Sequence, residues 1–179
     1  MTSEPAPAAR TLLLLRHAKS SWSDPTLADH DRPLAPRGRR AAGRMAAHLE
    51  SEQIRPDLVL CSSALRARDT LAALLAGLDD ATEVSIEPGL YTSSAGDLLD
   101  RLRSVGPGVG SVVLIGHNPA IEELATDLAG GGDERALSQL HTKYPTGALA
   151  VLRLDGDWAD LGVGRAQLLD LVLPRHLPR

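Results

Sequence analysis

Leu12-Leu13-Leu14-Leu15-Arg16-His17-Ala18-Lys19-Ser20 is the stretch that decides how this 179-residue chain is read. Four consecutive leucines without polar alternation form the pattern of a strand buried on both faces, in the middle of a parallel sheet. The run stops at Arg16 and His17, which puts a guanidinium and an imidazole at the carboxyl end of that strand. In open α/β sheets ligands bind at this end, in the crevice where the loops diverge. A cation and an imidazole there could hold a phosphoryl group. Taken alone, an Arg-His pair after a strand is more often the start of a solvated loop.

Outward from this strand the chain alternates. The Pro-, Asp- and Ser-rich stretch from Ser21 to Leu34 reads as an ordered loop. A helix is expected from about Pro36 to Glu50, with proline in its first turn and Ala42, Met45, Ala46 and Leu49 on one face. Arg37, Arg39, Arg40 and Arg44 read as its solvated side. Leu58–Cys61 is a second short buried strand, followed by a helix from about Ala64 to Ala76 that Ser62 and Ser63 can cap and Gly77 ends. Glu83–Ile86 is a weaker strand, and a helix from about Ala95 to Ser104 carries Leu98, Leu99 and Leu102. Ser111–Ile115 is a fourth buried strand, ending at Gly116-His117-Asn118-Pro119. Pro119 opens a helix to about Ala129, which Gly130-Gly131-Gly132 ends. Gly147–Leu154 reads as the last strand, and Trp158 to Leu173 as a mixed segment. The alternation predicts an α/β fold with a largely parallel central sheet.

The length suits one domain, expected over residues 11–179 after a disordered tail of residues 1–10. Without any Phe, the core must be built from Leu, Ala, Val and Ile. The net charge of −4 argues against general attraction to nucleic acid or an anionic membrane. No run approaches the roughly 18 apolar residues a membrane span needs, and the N-terminus lacks the parts of a signal peptide, so a soluble cytoplasmic protein is expected. The lone Cys61 excludes an internal disulfide and a cysteine-built zinc site.

Three strands share one design. Leu12–Leu15 ends at Arg16 and His17, Leu58–Cys61 leads to Arg66, and Val112–Ile115 ends at His117. As parallel neighbours they deliver two arginines and two histidines to one crevice. Like charges in a partly dry pocket repel by about 4 kcal/mol per pair at ~4 Å and an effective dielectric near 20. A dianionic phosphoryl group relieves that cost, and arginine forks match its oxygens. No His-x-His or His-x-x-x-His spacing supports a metal, and no Gly-x-Ser-x-Gly elbow supports a serine hydrolase. His17 is therefore the candidate nucleophile, attacking phosphorus through a neutral ring nitrogen. Arg16, Arg66 and His117 are the candidate charge stabilisers, with Ser20 and Asn118 as further phosphate-binding candidates.

Arg16-His17-Ala18, Ser63-x-x-Arg66-Ala67-x-x-Thr70 and Gly116-His117-Asn118-Pro119 resemble the three signatures of the histidine phosphatase (phosphoglycerate-mutase-like) superfamily. Arg-His-Ala-Lys-Ser-Ser-Trp, Asp31-Arg32-Pro33-Leu34, Leu90-Tyr91 and the Gly-His-Asn-Pro block are similar to its SixA-type phosphohistidine phosphatases. The resemblance covers about Leu12 to Trp158. It implies a three-layer fold with a mixed, mostly parallel sheet between helices, His17 as nucleophile, a pocket of Arg16, Arg66 and His117, no cofactor and no metal. The superfamily's Arg-His-Gly is Arg-His-Ala here, and the glutamate that many members use as proton donor is absent, Tyr91 standing near its place. A missing acid favours a phosphoramidate or anhydride over an alkoxide leaving group. Glu87, Asp24, Asp31 and Glu122 remain alternatives, and Arg32 either pins its loop or rims the pocket. The expected partner is a phosphorylated protein or a small phosphorylated metabolite; a phosphate-binding module with little turnover is the alternative.

Overall fold

In the computed structural model, residues 9–178 are described. The four leucines lie in β1 (Ala9–Arg16), each 1% exposed or less. Their alternation sorts them onto two cores. Leu12 and Leu14 join one apolar cluster, and Leu13 and Leu15 join the other. A strand apolar on both sides must lie inside a sheet. β1 accordingly pairs in parallel with β4 (Ser111–Gly116) and antiparallel with β6 (Leu149–Asp155).

The sheet continues from β4 to β2 (Leu58–Ser62) and the exposed edge strand β3 (Glu83–Glu87), both parallel. Beyond β6 it continues to β7 (Ala166–Val172) and β5 (Ala129–Gly132). The order is β3-β2-β4-β1-β6-β7-β5, with β6 alone reversed. Two helices, α1 (Pro36–Ser51) and α2 (Leu65–Leu74), cover the Leu13 and Leu15 face with Met45, Leu49, Leu71 and Leu74. On the other face lie α3 (Ala95–Arg103), α4 (Ala120–Leu128) and α5 (Glu134–Thr142), with the buried Trp158 and Tyr144. The three-layer α/β architecture with a mixed, mostly parallel sheet is as expected from the sequence.

Four expectations need correction. The tail does not reach residue 10: Ala9 and Arg10 are in register with Asp155 and Leu154, and Arg10 is buried with its guanidinium on Asp157. The rest of the expected tail, residues 1–8, lies outside the described residues. Gly130-Gly131-Gly132 does more than end a helix; it forms most of β5, pressed against β7 and the turn at Gly164. The strand Gly147–Leu154 is not the last, because β7 follows it. Finally, α2 starts after Ala64, without a side-chain cap from either serine. No helix among the described residues is long and apolar enough to cross a membrane.

Candidate active site

β1, β2 and β4 run the same way, so their carboxyl ends open onto one edge of the sheet. The backbone there is tightly tied. His17 N–H donates to the Gly116 carbonyl, and Gly147 N–H reaches the carbonyls of Arg16 and His17. The loop after His17 is pinned to α2 through Thr70, whose hydroxyl accepts from Ala18 N–H at 3.0 Å and donates to the Arg66 carbonyl at 2.7 Å. α1 crosses so close to this loop that a Cβ on Gly38 would lie 2.1 Å from the Lys19 carbonyl oxygen.

On this frame His17, Arg66 and His117 meet. The two imidazole rings stand 5.0 Å apart. Nδ1 of His17 is 2.7 Å from the Ala18 carbonyl oxygen, which can only accept, so Nδ1 carries the hydrogen and Nε2 the lone pair. Arg66 Nε donates to that Nε2 at 3.3 Å, and Arg66 Nη2 lies 3.4 Å from His117 Nδ1. A guanidinium only donates, so His117 Nδ1 accepts and its Nε2–H donates to Ser62 Oγ at 2.7 Å. Burial lowers His17 to a pKa of about 3, helped by the charges of His117, Arg66 and Arg16. Burial and Arg66 lower His117 to about 4. Both rings are neutral at physiological pH, and one presents an unprotonated nitrogen to an arginine fork.

Arg16 reaches the site from the end of β1, its Nη1 donating to the Tyr144 carbonyl at 2.8 Å while its Nε is buried without a hydrogen-bond partner. Tyr144 is fully buried; its hydroxyl donates to the Leu14 carbonyl and accepts from Ala150 N–H. One tyrosine thus staples β1 to β6 and aims Arg16. The structure does not bring Ser20 and Asn118 into the cluster. Ser20 lies in a backbone bridge to Leu34, and the Asn118 amide donates to Glu122 and to the Tyr144 carbonyl.

Three participants escaped the sequence reading. Ser62, taken as a helix cap, orients His117 instead. The loop 21–34 supplies Asp29, whose carbonyl accepts from Arg66 Nη1 at 2.6 Å and whose carboxylate accepts from Arg66 Nη2 at 3.0 Å. The same carboxylate takes the Tyr91 hydroxyl at 2.7 Å and the Arg32 guanidinium. These bonds, the one from Tyr91 first, hold Asp29 down at about 2, so it is ionised at neutral pH. Arg32, left open between two roles, is buried and stacks its guanidinium 3.4 Å from the Trp22 ring centre. His30, in the same loop, bonds Ser63 Oγ at 2.9 Å and packs edge-on against Tyr91.

Comparison with known proteins adds lineage to this geometry. Residues 12–105 match the family model described as "Histidine phosphatase superfamily (branch 1)". An uncharacterised protein of Mycobacterium tuberculosis, Rv1276c, is 40% identical over 163 residues, spanning 90% of this chain and all of that one. Among solved structures, a protein assigned as the phosphohistidine phosphatase SixA of Nakamurella multipartitia superposes with a TM-score of 0.83 at 32% identity. That alignment covers 95% of this chain and 99% of the other. The corresponding assigned SixA of Agrobacterium tumefaciens gives a TM-score of 0.78 at 31% identity, covering 96% of this chain and all of the other.

Proposed function

For a chain that belongs to branch 1 of the histidine phosphatase superfamily, is of the SixA type and is a phosphatase, we propose a double displacement through His17 that releases phosphate from phosphohistidine in proteins. The observation that carries this reading is the Nε2 lone pair of a buried, neutral His17 facing the Arg66 guanidinium. A substrate phosphoryl group displaces the Arg66–His17 contact and takes the guanidinium for its own oxygens. Nε2 then attacks phosphorus in line, the new N–P bond forming as the bond to the leaving group breaks. Arg16, Arg66 and His117 stabilise the equatorial oxygens, and Ser62 keeps the His117 ring turned toward them. Water next attacks phosphorus, the N–P bond breaks, and inorganic phosphate leaves with His17 restored. Neither step draws on a metal ion.

The choice of leaving group rests on protons. Among the described residues the one carboxylate that touches Arg66 is held ionised, and the Tyr91 O–H already donates its hydrogen bond to it. Neither group offers a proton to a departing alkoxide at neutral pH. An imidazole brings its own proton, so a phosphoramidate is the bond this site breaks most readily. The test compares wild type and His17→Ala on a phosphohistidine protein, a sugar phosphate and an aryl phosphate. We expect wild type to prefer phosphohistidine, to show a phosphoryl adduct on His17 in acid-free quenched mass spectra, and to lose turnover in His17→Ala. Equal rates for the two proteins would remove the mechanism, and a preference for the sugar phosphate would remove the substrate assignment.

A further inference from the structure

On the opposite flank of Arg16 from His17 lies a second basic feature, of which the phosphoryl chemistry uses Arg16 alone. A groove of about 530 Å³ is lined by Arg16, Lys19, Arg37, Arg44, Lys143 and Arg175. Among the described residues no acidic side chain lines it, although the chain carries 23 acids against 19 Lys and Arg. Both lysines of the sequence are here. Among the described residues none of the six forms an ion pair, whereas Arg10, Arg32, Arg55, Arg66, Arg101, Arg103 and Arg153 each have an acidic partner. Two of the groove's guanidinium nitrogens, Nε of Arg16 and Nε of Arg44, are buried without any hydrogen-bond partner.

The topology explains how six cations from distant parts of the sequence meet. Lys19 follows β1, and Arg175 follows β7, which runs parallel to β1. Lys143 precedes the reversed strand β6, and Arg37 stands in the first turn of α1. All four segments reach the edge of the sheet where the nucleophile lies. His17, Arg66 and His117 occupy its β2 and β4 side, and the groove occupies its β6 and β7 side, with Arg16 between them. Mutually repelling, unpaired cations beside a catalytic pocket are stabilised when an anion enters.

We propose that this groove is a second anion subsite, which takes a further negatively charged group carried by the molecule whose phosphoryl group His17 attacks. The proposal rests on the phosphatase reading and sharpens it: the preferred substrate is polyanionic next to the scissile bond. The group is either a second phosphate on a small molecule or acidic side chains flanking a phosphohistidine, and the recognition chemistry is the same for both.

Equilibrium binding tests this without any turnover, so its failure is separate from failure of the phosphatase mechanism. Orthophosphate, tripolyphosphate and a hexaglutamate peptide are titrated by calorimetry into three proteins. These are wild type, the groove variant R37Q/K143Q/R175Q and a distant variant, R68Q/R135Q/R153Q, that removes the same charge elsewhere. All six replaced side chains are exposed, so folding is not at stake. Wild type and the distant variant should bind tripolyphosphate or the peptide at least about tenfold more tightly than orthophosphate, a preference the groove variant loses. Whichever polyanion shows the preference identifies the source of the group. The proposal is overturned if neither polyanion is preferred, if the groove variant keeps the preference, or if the distant variant loses it equally.

Discussion

An imidazole that is to attack phosphorus must be uncharged, and His17 is kept so chiefly by burial, with the nearby cations adding to it. The same burial makes the fold sensitive to acid. His17 and His117 sit at about 3 and about 4 in the folded chain against an ordinary 6.5, so the unfolded chain takes up protons first as pH falls. Stability should be unaffected by this pair above pH 6.5 and decline from there toward pH 3, by on the order of a few kcal/mol. Thermal melts between pH 7.5 and 4 should therefore slope less steeply in a His17→Gln/His117→Gln variant, and ring nitrogen shifts should report neutral His17 at pH 5. Asp29 acts in a lower window and the same sense: its contribution is present above about 3.8 and vanishes as pH falls through about 2. Its charge competes with phosphate for Arg66, so Asp29→Asn should tighten orthophosphate inhibition about three- to tenfold. His117→Ala should lower kcat/KM by about a hundred- to a thousand-fold on any substrate, as removal of a positioned charge stabiliser does. Arg16, His17, Arg66 and His117 were legible because each stands at the end of an apolar run or in the first turn of the helix that follows one. Asp29 was not, because a polar residue in a polar loop carries no periodic signal, and Ser62 was hidden because a serine before a helix already has a use.

Among the elements, α1 shows how a helix sets the position of a loop it does not belong to. Gly38 is the point of contact, and Gly38→Ala would push the helix away from the Lys19 carbonyl. We expect a loss of about 1–3 kcal/mol in urea unfolding, with a raised KM, since the displaced loop carries His17. Gly147, at φ +78° and with Pro174 Cγ 2.9 Å from where a Cβ would stand, has the same role below the Arg16 backbone. Helices and buried strands in the first 128 residues followed the sequence pattern closely, because their apolar spacing is set by what they bury. The missed strands lie after that point. β5 has three glycines and nothing to alternate, so its extended form comes wholly from pairing with β7. β7 itself has a bulge against β6 and adjacent Leu-Leu and Leu-Val pairs that blur a period of two.

Across the whole molecule, the strand that leads to His17 depends on segments far away in sequence. Tyr144 joins them, and Tyr144→Phe would leave Ala150 N–H buried without its acceptor while Arg16 keeps its backbone partner. The expected cost is about 1–3 kcal/mol of stability with kcat little changed, read from denaturant melts and steady-state rates. Because β1 is flanked by β4 and β6, it has no partner until residues 111–116 and 149–155 have been made. A chain growing on the ribosome would thus hold the histidine proposed as its nucleophile idle through most of its synthesis. Stalled nascent chains that have not yet released β6 from the exit tunnel should remain unable to form the phosphoenzyme.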